Sequence, residues 1–228
     1  MRLLLLLALA GCADVAPIKN GTEFGPATQL IDLFTSCQLV KTSAGPVLFD
    51  ACWRKGELTA RLKEQGFTPA DVVAVFMTHG HGDHVGGLEV LGNATLHALA
   101  DEQDTLTKNA KENGAIERTL TDGEVVTIGD TEIRVYGVPG HTPGSAAYLV
   151  GGTLILGDNA LINGKLELVP VPEDRSDDPA QLIRSVVSLS DRLDAEQRSI
   201  EFLLPAHSGG LAGGDALRAF AEANRASE

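Results

Sequence analysis

A continuous apolar run, Val72 to Met77, passes directly into Thr78-His79-Gly80-His81-Gly82-Asp83-His84, and this junction constrains the chain more than any other feature. Uninterrupted apolar residues rich in β-branched side chains predict a strand buried on both faces. Such a strand delivers His79 to a domain edge, where Gly80 and Gly82 let the backbone turn without side-chain clash. Asp83 and His84 then lead into a helix predicted over Val85 to Leu91. Imidazole and carboxylate donors packed this closely favour a zinc-type cation over calcium or magnesium, because imidazole is a borderline-soft ligand. The alternative, a solvated polar loop, would have to hold three of the six histidines of the chain.

Three further donors also fall at strand ends. His141 follows a predicted strand ending at Val138, in Gly140-His141-Thr142-Pro143-Gly144-Ser145. Asp158 follows the apolar run Thr153 to Leu156, and His207 follows a strand ending at Leu204. Other strand signals cover Leu30 to Thr35, Cys37 to Thr42, Pro46 to Ala51, Ala94 to His97, Val125 to Ile128, Glu132 to Val138 and Ala146 to Val150. Helices are predicted over Glu57 to Gln65, from Asp178 to about Leu193 with Pro179 at its first position, and over Asp215 to Ala226. Strands in both halves with helices between them predict a layered α/β or α+β domain.

Taken together, these residues resemble the signature of the metallo-β-lactamase superfamily over roughly Ala27 to Phe220: His-x-His-x-Asp-His, then His, Asp and His in that order. The resemblance implies a four-layer αββα sandwich with its site at one edge. It implies that His79, His81 and His141 hold one metal, that Asp83, His84 and His207 hold a second, and that Asp158 bridges them. The implied cofactors are two Zn2+, and the implied activity is attack of a metal-bridging hydroxide on a small-molecule ester, lactone or thioester. Asp83 would orient that hydroxide besides ligating. Two zinc ions carry +4; the two aspartates and a hydroxide leave about +1, enough to stabilise a developing oxyanion.

Relatives keep other readings open. A persulfide dioxygenase uses a similar framework with one Fe2+ and is an oxidoreductase. A two-zinc β-lactamase offers a cysteine or no carboxylate where this chain has Asp158, which makes antibiotic hydrolysis a minor reading. Glyoxalase II adds a helical glutathione-binding domain after the last histidine, whereas only residues 208–228 follow His207 here. The flavodiiron branch places Glu where His81 stands. A metal-stabilised surface protein without turnover would be expected to have lost a ligand, and all seven are present.

Residues 1–11 read as a signal peptide: Arg2 precedes an apolar run from Leu3 to Ala10, far short of the ~20 residues that span a bilayer. Leu9-Ala10-Gly11-Cys12 resembles a bacterial lipobox, so Cys12 is expected to carry the lipid that anchors an exported, periplasmic or cell-surface protein to a membrane. Residues 12–26, with Pro17, Asn20, Gly21, Gly25 and Pro26, suit a linker, and 27–228 is the expected hydrolase domain. Export leaves Cys37 and Cys52 in a disulfide-permissive compartment. A hairpin turning between Ala44 and Gly45 pairs positions that sum to 89, placing Cys37 opposite Cys52; two separate buried thiols are the equal alternative, because a one-residue slip undoes the pairing.

The formal charge of -13 repels phosphate backbones and speaks against a nucleic-acid partner. His97 lies away from the ligand positions and reads as structural. Trp53 is a candidate for the pocket wall or for ordinary packing. Asn159, Asn163 and Lys165, in an irregular stretch to Asp177, are weaker candidates for substrate contact.

Overall fold

The structure, a computed structural model, describes residues 15–225. The signal-like segment and Cys12 lie outside the described residues. The described residues form fifteen strands and five α-helices. The first sheet runs in order β1 (Thr22–Phe24), β2 (Ala27–Asp32), β3 (Thr35–Thr42), β4 (Gly45–Phe49), β5 (Ala74–Phe76), β6 (Thr95–Leu99) and β7 (Arg118–Leu120). The second contains β8 (Val125–Ile128), β9 (Thr131–Gly137), β10 (Ala146–Val150) and β11 (Thr153–Gly157). After a short ribbon, β12 (Leu161–Ile162) with β13 (Leu168–Val169), that sheet is completed by β14 (Phe202–Pro205) and β15 (Leu211–Ala212). The helices are α1 (Lys55–Glu64), α2 (Gly82–Val85), α3 (Gln103–Ala110), α4 (Pro179–Ala195) and α5 (Asp215–Arg225).

Three apolar clusters define the three interfaces of a four-layer αββα sandwich. Leu58, Leu62, Val85 and Leu106 on α1 to α3 pack against Leu39, Leu48 and Val75 of the first sheet. Phe49, Phe76, Ile133, Tyr148 and Ile155 fill the space between the sheets. Leu182, Val186, Leu189, Leu217 and Phe220 on α4 and α5 cover Tyr136, Leu154 and Leu203 of the second sheet. The run ending at Met77 illustrates why it had to be apolar throughout: Phe76 points between the sheets while Val75 and Met77 point at the helices. β5 is parallel to β4 and β6, and β11 is parallel to β14. Segments leaving β4, β5, β11 and β14 therefore gather at one edge.

Several expectations need correction. Part of the predicted linker is folded: Val15 bridges Asn163, Ala16 is buried, and β1 pairs with β2, so the packed region begins well before Ala27. Residues beyond Val85 do not continue as an α-helix. The amides of Gly86 and Gly87 turn to the carbonyls of Cys52 and Ala51, which takes them out of the helical ladder, and only a 3-10 turn at Leu88–Val90 follows. The β3/β4 hairpin pairs Gln38 with Phe49 and Thr42 with Gly45, a register summing to 87. Cys37 and Cys52 are nevertheless disulfide-bonded, with Cα atoms 5.0 Å apart. The chain leaves β4 with left-handed backbone at Asp50 and Cys52 (φ 60° and 53°), and this bend, not the hairpin register, brings the two sulfurs together. Among the described residues, no helix is long and apolar enough to cross a membrane.

Candidate metal centre

Seven side chains from four separate segments, residues 79–84, His141, Asp158 and His207, converge at the edge where the strand ends meet. His79, His81 and His141 form one cluster, and Asp83, His84 and His207 form another, each with ligand atoms mutually within 4.8 Å. Asp158, at the end of β11, lies between them. Its Oδ2 is 3.1 Å from His207 Nε2, 3.5 Å from His141 Nε2 and 3.8 Å from His79 Nε2, while its Oδ1 is 3.3 Å from His84 Nε2. Asp83 Oδ2 is 3.2 Å from His207 Nε2.

Four of these imidazoles are oriented by contacts on the far side of the ring. His207 Nδ1 donates to the Phe34 carbonyl at 2.9 Å. His84 Nδ1 donates to Asp50 Oδ2 at 2.8 Å. The Thr78 hydroxyl gives its proton to the same Asp50 oxygen at 2.7 Å, so its lone pair receives the Nδ1 proton of His79 at 3.1 Å. His141 Nδ1 faces Ser176 Oγ at 3.3 Å. With Nδ1 occupied, each ring turns Nε2 inward, the orientation that a hydrogen bond on the far nitrogen imposes on a metal-ligating histidine. One buried carboxylate, Asp50, thereby sets the tautomer of two of the rings.

A cation fits this arrangement. His84 Nε2 and Asp158 Oδ1 are buried without a hydrogen-bond partner, a state that costs ~1–3 kcal/mol per group unless something else satisfies them. His79 Nε2 and His141 Nε2 face each other across 3.2 Å. Imidazole nitrogens with a few carboxylate oxygens match zinc or iron better than calcium or magnesium.

Electrostatics divides the two clusters. Burial, reinforced by neighbouring imidazoles, holds His79 well below the ordinary histidine range and His141 at about 4; burial also lowers His81. For His84 and His207 burial again opposes the charge, but Asp158 outweighs it, helped by Asp50 at the first and Asp83 at the second. His84 lies well above the usual value and His207 at about 10. Burial pushes Asp158 and Asp83 upward, yet the His207 and His84 charges bring both below the ordinary carboxylate range.

The sequence missed the supporting residues Asp50, Phe34, Ser176 and Glu102. Phe34 and Leu33, on the β2/β3 turn, are exposed beside Trp53; Phe34 stacks on the His207 ring at 5.8 Å and meets Trp53 at 5.0 Å. Trp53 thus borders the site. Glu102 is fully buried and accepts from Gly80 N, Thr142 Oγ1 and Gly144 N; burial raises its carboxyl, and these donors pull it back. His97 stacks on Phe76 at 4.4 Å with Nδ1 on the Thr95 carbonyl, a structural position. Asn159 uses its amide on the Ala146 and Leu156 carbonyls, Asn163 closes the β12/β13 turn, and Lys165 is exposed on that turn.

Known proteins share this framework. The chain is 24% identical over 187 residues to a probable polyketide biosynthesis zinc-dependent hydrolase of Bacillus subtilis, covering 80% of this chain and 76% of that one. It is 35% identical over 97 residues to a hydroxyacylglutathione hydrolase of Shewanella sp., covering 41% of this chain and 36% of the relative. For most of the curated relatives it matches, the aligned part spans less than half of their length. A metallo-beta-lactamase family protein from Thermus thermophilus superposes with a TM-score of 0.66 at 21% identity, over 90% of this chain and 79% of the other, and so shares the fold. The model of the metallo-beta-lactamase superfamily matches residues 30–207, a span that holds both sheets' site-bearing segments and all seven converging side chains, and the chain belongs to that superfamily.

Proposed function

We propose that this chain is a two-zinc hydrolase of small carboxylic esters, lactones or thioesters. The observation that carries the reading is Asp158, one carboxylate within 3.1 to 3.8 Å of four inward-facing imidazole nitrogens drawn from two clusters. His79, His81 and His141 would hold one ion, Asp83, His84 and His207 the other, and Asp158 both. Zinc held there would supply a Lewis acid for the carbonyl oxygen and would bring the pKa of water toward ~7, so no serine or cysteine nucleophile would be required. Asp83, partly exposed at the mouth of the site, orients the attacking water. Leu33, Phe34 and Trp53 give the substrate an apolar edge beside His207. The names of the two relatives, a probable polyketide biosynthesis zinc-dependent hydrolase and a hydroxyacylglutathione hydrolase, agree with this class.

We further infer export and lipid anchoring through Cys12. The Cys37–Cys52 disulfide suits an oxidising compartment. Loss of membrane association in Cys12→Ser, with the soluble protein still folded, is the expected result; unchanged association contradicts it.

Metal analysis of gently purified protein, paired with a substrate panel of esters, lactones, thioesters, phosphodiesters and a chromogenic cephalosporin, tests the main reading. About two zinc per chain with turnover of an ester, lactone or thioester is expected. One iron per chain with oxygen consumption on a persulfide overturns it in favour of the oxidoreductase.

A further inference from the structure

Ala100-Asp101-Glu102-Gln103-Asp104 has the composition of a solvated helix start, yet Glu102 is fully buried. Its two oxygens face different loops. Oε1 accepts from Gly80 N at 2.7 Å, between His79 and His81. Oε2 accepts from Thr142 Oγ1 at 2.6 Å and Gly144 N at 3.0 Å, in the loop that carries His141. α3 adds a second hold on the first loop, since Asn109 Nδ2 donates to the Gly80 carbonyl at 2.9 Å.

The contact is close on both sides. A Cβ at Gly80 would lie 2.7 Å from Leu106 N, and one at Gly144 would lie 2.3 Å from Glu102 N. The glycines at these two positions therefore let both loops seat directly on the backbone of the α3 segment. The other cluster is held elsewhere: His84 by Asp50, His207 by the Phe34 carbonyl.

We propose that Glu102 is a positioning residue that fixes the spacing of the His79/His81 loop against the His141 loop, and thereby sets the cation affinity of that cluster separately from the Asp83, His84 and His207 cluster. The inference rests on the two-cation reading. A carboxylate can accept from all three donors at once. The amide of Gln presents NH2 to at least one of them, so Glu102→Gln opens the tie between the loops without changing side-chain size.

Cobalt(II) titration of the full-length protein, followed by visible absorption and by paramagnetically shifted imidazole N–H signals, tests the inference on wild type, Glu102→Gln and Thr142→Val. Wild type is expected to bind two cobalt ions. Glu102→Gln is expected to keep one site at wild-type affinity, with the shifted His84 and His207 N–H signals intact, and to lose roughly 10–100-fold at the other, the usual effect of an outer-shell partner. Thr142→Val removes one donor and is expected to weaken the same site less; it decides the matter alone if Glu102→Gln does not fold. Wild-type affinity at both sites in the variants, or equal weakening of both, overturns the role of Glu102. A wild-type protein that binds no cobalt sinks the two-cation reading instead.

Discussion

The two clusters that meet at Asp158 are prepared for a cation in opposite ways. His79, His81 and His141 are pushed toward the neutral form by burial, so their nitrogens are ready to ligate. His84 and His207 sit against Asp50, Asp83 and Asp158, which raise both pKa values and favour their protonated forms. One half of the centre favours free imidazole lone pairs, and the other favours imidazolium beside carboxylate. The difference arises from carboxylate placement: Asp50 contacts His84 directly and reaches His79 only through Thr78, Asp83 bonds to His207, and Asp158 lies against rings of both halves. Metal binding at the second half therefore competes with protons, and at the first half scarcely does.

Removing the shared carboxylate should produce the largest effect. Asp158→Asn is expected to weaken both sites and to lower kcat/KM by more than the ~100-fold typical of an outer-shell loss. Wild-type zinc content in that variant would break the claim that the clusters share a ligand. Asp83→Asn touches only the second half. Its turnover number is expected to fall while KM stays near wild type, since the role proposed for Asp83 is to orient the attacking water and not to bind substrate; an unchanged kcat removes that role. Asp50→Asn keeps every ligand but weakens the hold on His84 and on Thr78, and a loss of about 10–100-fold in affinity is expected, greater for the second site than for the first. Equal loss at both would show that Thr78 and His79 depend on Asp50 as strongly as His84 does.

The smallest effect is on the metal-free protein. His141 has a folded-state pKa of about 4 against 6.5 unfolded, so on acidification the unfolded chain takes the proton first, and stability is lost as pH falls from 6.5 toward 4. His207, at about 10 in the folded state, contributes stability that is full below pH 6.5 and fades as pH rises toward 10. Calorimetry of the chelator-treated protein should show a Tm maximum near pH 6.5. A Tm that rises steadily from pH 4 to 10 would contradict the raised pKa of His207.

The parts of this centre that were legible in the sequence are those determined locally. His79 to His84 follow one buried strand without a gap, and His141, Asp158 and His207 each follow an apolar strand, so their positions at sheet ends could be read from pattern. The supporting residues could not be read. Asp50 reads as the end of a strand, and only its left-handed backbone and the fold of Thr78 against it reveal its contacts. Glu102 sits in a charged run whose burial exists only once two distant loops close over it. α3 itself went unread because Gln103-Asp104-Thr105-Leu106-Thr107-Lys108-Asn109-Ala110 contributes a single buried apolar residue, Leu106, too little for a helical pattern. The segment before Ala27 is opaque for a related reason: its turn-forming composition suits a tether, but β1 gains its stability from edge pairing with β2, which no local pattern discloses.

Proton counting during metal binding tests the asymmetry most directly. Zinc added to the metal-free protein at pH 7.5, by isothermal titration in two buffers of different ionisation enthalpy, should fill two sites per chain. The ion entering the His79, His81 and His141 cluster is expected to release few protons from the protein, and the ion entering the Asp83, His84 and His207 cluster to release more, from His84 and His207. Equal proton release at both sites, or a single site per chain, would contradict it.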